Sequence, residues 1–368
     1  MTKEKILICS NHLGYGGIES SLINLINTNV FDDYDVTLLL MNKRGHLQGS
    51  IPQNIKVIDA KYRRTNGKII NKIVCKIINT IIGLHYAKKY RNCFDVSICY
   101  APFIRTCTYI ARAAAPRAII WLHADYSNLF KDKKSLIKFE KKMYINSFDK
   151  IISVSKNGLK EYVKLFKEVK NKIIYIPNII AGNKIINGSN EEANIKRAKN
   201  DIIFCNVSRH EEKSKKISRI IEASIKLKAD GINNFKVWLI GDGCDTTLYK
   251  KLIKQGEIGD HIEILGAKDN PYPYIKNSDC MIITSDYEGD PVTFYESLVL
   301  QKNLITTEVG NIDDYRKYKN ILIIKKSSES LYKTMKYICK NNIRPVTVFN
   351  YEKYNSRNIA LIKKALKG

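Results

Sequence analysis

Short apolar runs alternate with helical stretches along this chain, and the alternation occurs twice. In the first half, five runs have the length and composition of buried parallel strands: residues 5–11, 35–41, 95–101, 117–123 and 150–155. Five similar runs follow in the second half: residues 201–209, 235–243, 262–266, 280–285 and 303–308. Strands that alternate with helices in this way are typical of doubly wound parallel sheets. The pattern therefore predicts an α/β protein with two such sheets.

The length of 368 residues also favours two domains, since a single hydrophobic core seldom grows that large. The polar, glycine-containing stretch over residues 183–200 is predicted to be a linker. We expect an N-terminal domain over residues 1–182, a second domain over 201–345, and a C-terminal helix over 346–368 that packs back on the first domain. Open α/β sheets bind ligands at the carboxyl ends of their strands, so we expect two Rossmann-like domains facing each other across a ligand-binding cleft.

The net charge of +26 indicates an anionic partner: nucleic acid, an anionic membrane leaflet or a phosphorylated small molecule. The nine cysteines show no C-x-x-C pair or metal-ligand spacing, which favours unpaired thiols in a reducing cytosol. No apolar run is expected to reach the length of a membrane span, and the N-terminus begins with a strand and not with a signal peptide. The composition therefore predicts a cytoplasmic globular protein.

Two glutamates, Glu288 and Glu296, lie on either side of a Gly-Asp-Pro turn that follows the predicted strand 280–285. The turn and the helix after it present backbone N–H groups and a positive dipole end to an anion. The carboxylates themselves would repel phosphate, but they accept hydrogen bonds from sugar hydroxyls. The stretch therefore predicts a sugar-nucleotide site, with four further contacts from the residues between the glutamates: Gly289, Asp290, Val292 and Thr293.

Basic residues that could oppose a diphosphate follow the first strand of the second half. Arg209 ends that strand, and Lys215 and Lys216 stand at the start of the next helix. Arginine presents a fork of donors to phosphate oxygens, and lysine presents a point charge. Basic residues at a solvated helix start are an equally good interpretation at this point. Lys213 and Arg219 are expected to face solvent.

The order of these motifs resembles that of glycosyltransferase family 4, the glycosyl transferases group 1 of GT-B enzymes, in its bacterial surface-polysaccharide type. The resemblance implies two Rossmann-like domains and metal-independent transfer of a hexose-type sugar, with retention, from a nucleotide-sugar donor such as a UDP-sugar. It assigns Glu288 to hydroxyls of the donor sugar and Glu296 to the ribose. It assigns Arg209 and Lys215 to the diphosphate, and it places Lys216 where relatives often carry glycine or asparagine.

The N-terminal half resembles the family more loosely. Its glycine loop implies that Gly16 and Gly17 let the backbone approach the diphosphate. His123, at the end of a predicted strand, matches a histidine that family members place beside the reacting sugar. By themselves, the loop fits a tight turn and the histidine fits structural packing. Ser155 and Asn178 match family landmarks and are expected to be structural.

The chain departs from the family pattern in two loops. Relatives often have Gly-Phe-Pro after the first glutamate, whereas Asp290 stands in the middle position here, where it could change which sugar fits. The common Gly-Gly-x-x-Glu appears as "GNIDDY" over residues 310–315. The one D-x-D motif, Asp33 to Asp35, precedes a strand and is interpreted as a turn. We therefore expect no metal and no other cofactor, with Arg, Lys and helix dipoles neutralising the leaving diphosphate.

Residues 67–91 predict a helix with one apolar stripe and a basic flank formed by Lys68, Lys72 and Lys76. Such a helix either packs on the first sheet or lies on an anionic membrane near a lipid-linked acceptor. Residues 131–144 predict a second basic helix with a solvated face.

The function that these features favour is extension of a cell-surface glycan, in a capsule or a lipopolysaccharide, on a lipid carrier at the inner face of the cell membrane. A basic nucleic-acid-binding protein is one alternative, although no helix-turn-helix, zinc or RNP-type signature is present. Another two-Rossmann enzyme, such as a sugar-nucleotide epimerase or an NAD enzyme, is a second alternative, although the first strand lacks a G-x-G-x-x-G motif. The favoured interpretation predicts a nucleotide-sugar donor, a glycan or lipid-linked acceptor and no nucleic acid.

Overall fold

The computed structural model describes residues 3–14, 16–65, 67–130, 132–193, 195, 197–198, 200–341 and 348–367. The chain divides into two compact units. Unit 1 comprises Met1–Ile179 together with Asn355–Gly368, and unit 2 comprises Ile180–Tyr354. The boundary predicted between residues 345 and 346 lies outside the described residues.

Unit 1 contains a parallel sheet of seven strands in the order β3-β2-β1-β4-β5-β6-β7. Its strands are β1 (Glu4–Ser10), β2 (Tyr34–Leu40), β3 (Lys56–Asp59), β4 (Val96–Cys99), β5 (Arg117–Leu122), β6 (Lys150–Ser153) and β7 (Ile173–Tyr175). Its helices are α1 (Gly17–Ile26), α2 (Ile69–Lys89), α3 (Arg105–Ala114), α4 (Tyr126–Leu129), α5 (Lys133–Met143) and α6 (Lys156–Leu165).

Both faces of this sheet are covered. Alternate residues of β1 enter different cores, because side chains along a strand point to opposite faces. Ile6 and Ile8 pack with α1, whereas Leu7 and Cys9 pack with α3. Strand order reverses beside β1, so loops that follow β1 and its neighbours share the carboxyl edge of the sheet, where ligands bind in this class of fold.

Unit 2 contains a parallel sheet of six strands in the order β10-β9-β8-β11-β12-β13. Its strands are β8 (Ile202–Val207), β9 (Phe235–Ile240), β10 (Ile262–Gly266), β11 (Cys280–Ile283), β12 (Asn303–Thr307) and β13 (Ile321–Ile324). Its helices are α7 (Gly182–Ser189), α8 (Glu212–Lys215), α9 (Ser218–Ala229), α10 (Thr246–Gln255), α11 (Tyr272–Asn277), α12 (Val292–Val299), α13 (Ile312–Tyr315) and α14 (Ser328–Asn341). Strand order reverses between β8 and β11, so the loops that follow these two strands lie at the switch point.

A last helix, α15 (Tyr351–Lys367), begins in unit 2 and ends in unit 1. Ile362, Ala365 and Leu366 near its end are buried in the core of unit 1 that contains Ile6 and Ile8. The stretch predicted as a linker over residues 183–200 also has structure of its own. Most of α7 falls within it, and α7 packs against α11 and α12 inside unit 2.

The predicted architecture of two doubly wound parallel sheets is confirmed, and every predicted strand is present. Three strands were missed: β3, β7 and β13. Each is three or four residues long and lies at an outer edge of its sheet.

Helix α2 confirms the helix predicted over residues 67–91, but most of its apolar stripe is exposed, and from that stripe Ile82 packs, partly buried, on a core of unit 1. Its buried residues are Asn79, Gly83 and Ala87, on the face that packs against α3. Seven large apolar side chains are exposed, from 46% to 74%: Ile69, Ile70, Ile73, Val74, Ile77, Ile81 and Leu84. By length and hydropathy α2 could cross a membrane, which corrects the expectation that no stretch of the chain reaches that length.

Candidate functional site

The loops after β8 and β11 bring together two of the residues predicted in unit 2, Lys215 and Glu288. The loop after β11 is tied to α8, because Asp286 N donates to Ser214 O at 2.8 Å and Thr284 Oγ1 donates to Lys215 O at 2.8 Å. These bonds place Lys215 beside the Glu288 loop. Arg209 lies two residues beyond the end of β8 and is exposed.

Glu288 makes an ion pair with Lys215. The Lys215 Nζ atom lies 2.5 Å from Glu288 Oε1, and Ser285 Oγ donates to the same oxygen at 2.6 Å. Both contacts use Oε1, so within the described residues Oε2 keeps its capacity to accept hydrogen bonds from a ligand. The ammonium and carboxylate groups are each only partly exposed, at 25% and 15%. This pair is the main charged contact that the structure forms between predicted site residues.

Lys216 lies outside the helices and has a left-handed backbone, with φ 52°. Glycine and asparagine adopt this conformation at little cost, whereas other residues rarely do. The conformation therefore accounts physically for the residue types that the family resemblance implies at this position. The Lys216 ammonium lies 3.8 Å from Glu212 and 3.9 Å from Asp286.

Arg219 was expected to face solvent, and this expectation was wrong. Its guanidinium donates to Thr284 O at 2.8 Å and lies 2.7 Å from Asp286 Oδ1. Arg219 thus holds the loop that follows β11. Lys213 is exposed, as expected.

Asp290 is turned into unit 2 and is 5% exposed. Its Oδ1 accepts hydrogen bonds from Tyr295 Oη at 2.8 Å, Asn311 Nδ2 at 2.9 Å and Tyr315 Oη at 3.2 Å. These donors come from α12, from the end of the loop after β12, and from α13. Asp290 therefore joins the Glu288 loop to the loop after β12, and its contact with the nucleotide-sugar donor stays a prediction.

Helix α12 begins directly after this turn, with Pro291 at its N-cap. Gly289 is buried, and Val292 and Thr293, in the first turn of the helix, are half-buried. The helix N-terminus therefore adjoins the Glu288 loop, as predicted, and its dipole favours negative charge there.

Glu296, in the second turn of α12, is 8% exposed, and its Oε2 has no hydrogen-bond partner within the described residues. Burial raises the pKa of the Glu296 carboxyl from its ordinary value of 4.5 to about 7, and the positive charge of Lys184 on α7 opposes this shift. A buried acceptor without a partner costs free energy, so the site is suited to a ligand that supplies a donor.

In unit 1, His123 directly follows β5 and is 8% exposed. Burial lowers the pKa of its imidazole to about 3, and a hydrogen bond to the backbone of Tyr100 opposes this shift. The Nε2 atom is buried without a partner in the described part of the chain. His123 is therefore neutral at physiological pH and can exchange one hydrogen bond with a ligand.

A buried polar network lies beside His123. The rings of His123 and Tyr100 have their centroids 4.4 Å apart. The Tyr100 hydroxyl lies 2.6 Å from Ser21 Oγ, which donates to Asn178 Oδ1 at 2.7 Å. Asn178 is thus part of the interior, and Ser155 caps α6 by accepting from Gly158 N at 3.0 Å. The sequence offered no signal for Tyr100 or Ser21.

The glycines predicted to approach the diphosphate begin α1. Gly16 is its N-cap residue with an extended backbone, and Gly17 is the first residue of the helix. A Cβ atom added to Gly17 would meet no described atom within 4 Å. The structure therefore leaves open space at Gly17, but does not require a glycine there.

Within the described residues, no group of three or more His, Cys, Asp or Glu side chains is placed to hold a metal ion. Of the D-x-D motif, Asp33 lies in the turn before β2, whereas Tyr34 and Asp35 are the first two residues of that strand.

A cavity of about 490 Å³ in unit 1 was not predicted from the sequence. Its lining includes four basic residues from the loops after β2 and β3: Arg44, Lys61, Arg63 and Arg64. The available signal was the position of "KR" (43–44) and "KYRR" (61–64) after strands, but β3 had not been recognised as a strand.

Comparison with known proteins shows a family similarity over part of the chain. Residues 188–355 match the model of the family described as glycosyl transferases group 1. An uncharacterised glycosyltransferase of Methanocaldococcus jannaschii is 27% identical over 195 residues, which cover 52% of this chain and 48% of the relative. The chain spans about half the length of the curated relatives it matches.

Solved structures show the same fold over nearly the whole chain. Anabaena HepE, in complex with UDP and glucose, superposes with a TM-score of 0.72 at 14% identity, covering 99% of this chain and 98% of HepE. WaaG, a glycosyltransferase involved in lipopolysaccharide biosynthesis, gives a TM-score of 0.66 at 12% identity, covering 98% of this chain and 95% of WaaG. The predicted GT-B fold and the predicted resemblance to glycosyl transferases group 1 are confirmed. The narrower assignment to family 4 and to the surface-polysaccharide type stays a prediction.

Proposed function

We propose that this chain, whose residues 188–355 match the glycosyl transferases group 1, is a retaining glycosyltransferase that moves a sugar from a UDP-sugar to a lipid-linked glycan. The observation that supports this most directly is the 2.5 Å contact between Lys215 Nζ and Glu288 Oε1. A cation suited to a diphosphate lies beside a carboxylate suited to sugar hydroxyls, and a nucleotide sugar carries these two groups next to each other. HepE, which shares the fold, was solved with UDP and glucose.

In the proposed reaction, the bond between the anomeric carbon and the diphosphate oxygen breaks, and a hydroxyl oxygen of the acceptor bonds to the same face of that carbon. The acceptor hydroxyl transfers its proton to an oxygen of the leaving diphosphate. Lys215 and Arg209 stabilise the negative charge that develops on the diphosphate, without a metal ion. Glu288 accepts hydrogen bonds from hydroxyls of the transferred sugar and fixes its orientation.

The remaining predicted residues have supporting roles in this proposal. Glu296 accepts hydrogen bonds from the ribose, for which its unpartnered Oε2 is suited. Gly289, Val292 and Thr293 place the N-terminus of α12 toward the diphosphate. In unit 1, His123 contacts the transferred sugar through Nε2, and Gly16 and Gly17 allow close approach to the diphosphate.

Calorimetry with UDP and GDP, each with and without EDTA, tests the donor site. We expect binding that EDTA does not change. Lys215→Ala should weaken it about tenfold to a hundredfold, since a hydrogen bond to a charged group contributes about 1.5–3 kcal/mol. Lys213→Ala is the matched control, because Lys213 is an exposed lysine two positions away that makes no ion pair within the described residues. Binding that needs Mg²⁺ or Mn²⁺, or equal losses in both variants, would contradict the proposal.

We further propose that α2 brings the enzyme to the inner face of the cell membrane, where it extends a surface glycan. Its exposed apolar side chains are flanked by Lys68, Lys72 and Lys76, a combination suited to an anionic lipid surface. One face of α2 packs on α3 through Asn79, whose backbone carbonyl accepts a hydrogen bond from Thr106 at 3.3 Å. A helix held along one side by the protein fits a position in the plane of the membrane better than a crossing.

Co-sedimentation with anionic and neutral liposomes tests this surface. Each lysine near an anionic leaflet contributes about 1 kcal/mol, and salt screens this within about 10 Å at 0.1 M. Changing Lys68, Lys72 and Lys76 together to Ser should release the protein from anionic liposomes at moderate salt. The matched control changes Lys134, Lys138 and Lys141 of α5, which are also exposed. If both triple variants sediment like the unchanged protein, α2 is not the membrane surface.

A further inference from the structure

The unpredicted cavity in unit 1 lies where three neighbouring strands end. Asn11 follows β1, Arg44 follows β2, and Lys61, Arg63 and Arg64 follow β3, and all five line the same space of about 490 Å³. That volume is within the range of sites for small organic ligands, roughly 300–1,000 Å³. The carboxyl edge of a parallel sheet, beside the point where strand order reverses, is also where such sites form.

The charged side chains that line the cavity are mostly basic. Arg44, Lys61, Arg63 and Arg64 are exposed, and none of them makes an ion pair within the described residues. The carboxylate in the lining belongs to Asp59, and its Oδ1 accepts from the backbone N–H groups of Lys43 at 3.1 Å and Lys61 at 2.9 Å. Four cations therefore face the cavity against one carboxylate that is already hydrogen-bonded. Such a concave, positively charged site attracts anions.

The loops that carry these cations are held in place. Tyr62 N donates to Met41 O at 2.7 Å, which joins the loop after β3 to the end of β2. The buried Asn79 of α2 accepts from Arg63 N and donates to Arg63 O, both at 2.8 Å. Lys61 has a left-handed backbone with φ 55°, a conformation that non-glycine residues rarely adopt outside constrained sites. The cationic side chains thus project from a fixed backbone.

One uncharged group also points to a ligand. The Asn11 Oδ1 atom is buried and has no hydrogen-bond partner within the described residues, although Asn11 lines the cavity. A ligand hydroxyl would satisfy it.

We infer that this cavity binds a phosphate-bearing group of the acceptor: a phosphate monoester or a diphosphate that also carries hydroxyls. Arginine forks can each pair with two phosphate oxygens, and Lys61 adds a point charge. That the anion belongs to the acceptor rests on the proposed transfer reaction, whereas anion binding by the cavity does not depend on it.

The phosphate can come from two sources. Cys75 of α2 lines the cavity, and the outer face of α2 is apolar, so the phosphate can be the headgroup of a lipid carrier. It can equally be part of a soluble sugar phosphate. Both carry the same group, and the experiment below distinguishes them.

Titration of the full-length protein with inorganic diphosphate, with UDP present at saturation to occupy the donor site, tests anion binding. The test variant is Arg44→Gln with Arg63→Gln. The matched control is Arg91→Gln with Arg357→Gln, which removes the same charge from exposed arginines that do not line the cavity. We expect at least a tenfold loss of diphosphate affinity in the test variant alone, with UDP affinity unchanged in both. Equal affinities in the two variants, equal losses in both, or no diphosphate binding by the unchanged protein would overturn the inference.

Binding to lipid vesicles distinguishes a lipid-borne phosphate from a soluble one. Phosphatidylcholine vesicles containing phosphatidic acid, whose headgroup is a phosphate monoester, are compared with vesicles of equal surface charge containing phosphatidylglycerol. Preference for phosphatidic acid that is lost in the test variant supports a lipid-borne phosphate. Loss of diphosphate binding without any such preference supports a soluble phosphate. UDP binding is measured in every sample, so failure of the donor site is recognised separately from failure of this cavity.

Discussion

Seven residues separate Glu288 from Glu296, yet the surroundings of the two side chains differ. Glu288 is paired with Lys215 and hydrogen-bonded to Ser285. Glu296 is buried on α12, its Oε2 has no partner within the described residues, and its pKa is raised to about 7. The sequence predicts the same chemistry for both residues, acceptance of hydrogen bonds from hydroxyls. The structure shows that Glu288 already has two partners at Oε1, whereas Oε2 of Glu296 needs a ligand to supply its hydrogen bond.

Asp290 lies between the two glutamates in the sequence and is buried among three hydrogen-bond donors, so removing it should have the largest effect. Asp290→Ala would leave two tyrosine hydroxyls and one amide without their acceptor. Because each buried group left unsatisfied costs about 1–3 kcal/mol, we expect the free energy of unfolding to fall by at least about 3 kcal/mol. Chemical denaturation measures this, with Asp313→Ala on the exposed side of α13 as the control. Equal stability of the two variants would remove Asp290 from this role.

The raised pKa of Glu296 predicts a pH-dependent stability. Between pH 4.5 and 7 the unfolded chain releases the Glu296 proton while the folded protein retains it, so stability falls as pH rises through this window and is level above it. The shift corresponds to about 3 kcal/mol. From pH 5 to pH 8, the free energy of unfolding of Glu296→Gln should rise relative to that of the unchanged protein by most of this amount, about 2.5 kcal/mol. A pH-independent difference would mean that Glu296 ionises normally.

Ligand binding should separate the two glutamates. Glu288→Ala should weaken binding of the intact UDP-sugar about tenfold to a hundredfold, but leave UDP affinity nearly unchanged, because the transferred sugar is absent from UDP. Glu296→Ala should weaken both, because the ribose is common to both ligands. Since Glu288→Ala also frees Lys215 from its ion pair, UDP affinity should not fall in that variant. Calorimetry measures the affinities for UDP and for the UDP-sugar. Equal losses of UDP affinity in the two variants would refute the assignment.

His123 resembles Glu296 in having a buried polar atom without a partner, but it is expected to have the smallest effect. A neutral hydrogen bond contributes about 0.5–1.5 kcal/mol, so His123→Ala should lower turnover by about tenfold at most, and donor affinity by less. Because burial lowers the imidazole pKa to about 3, the size of this loss should not change between pH 5 and 9. Steady-state kinetics of His123→Ala and the unchanged protein between pH 5 and 9 measure this loss of turnover. Turnover equal to that of the unchanged protein would make His123 a packing residue.

The predictable part of the site is local in the sequence. Lys215 and Lys216, and the pair Glu288 and Glu296, were found because their spacing relative to strands and helix starts is visible in the chain. The roles of Asp290 and Arg219 could not be found in this way. Asp290 accepts hydrogen bonds from residues up to 25 positions away, and Arg219 binds a carbonyl 65 positions away. Only folding decides whether such a polar side chain meets a ligand or an interior partner.

The sequence by itself determined the two parallel sheets, because each central strand is a single continuous apolar run that can be recognised without knowledge of its partners in the sheet. It also determined that residues 67–91 form an amphipathic helix. Tertiary structure decided which way that helix faces. Asn79, Gly83 and Ala87 lie on the face that packs against α3, whereas seven large apolar side chains stay exposed. It also decided that basic residues after three separate strands line one cavity, because parallel strands bring distant loops to the same edge of a sheet.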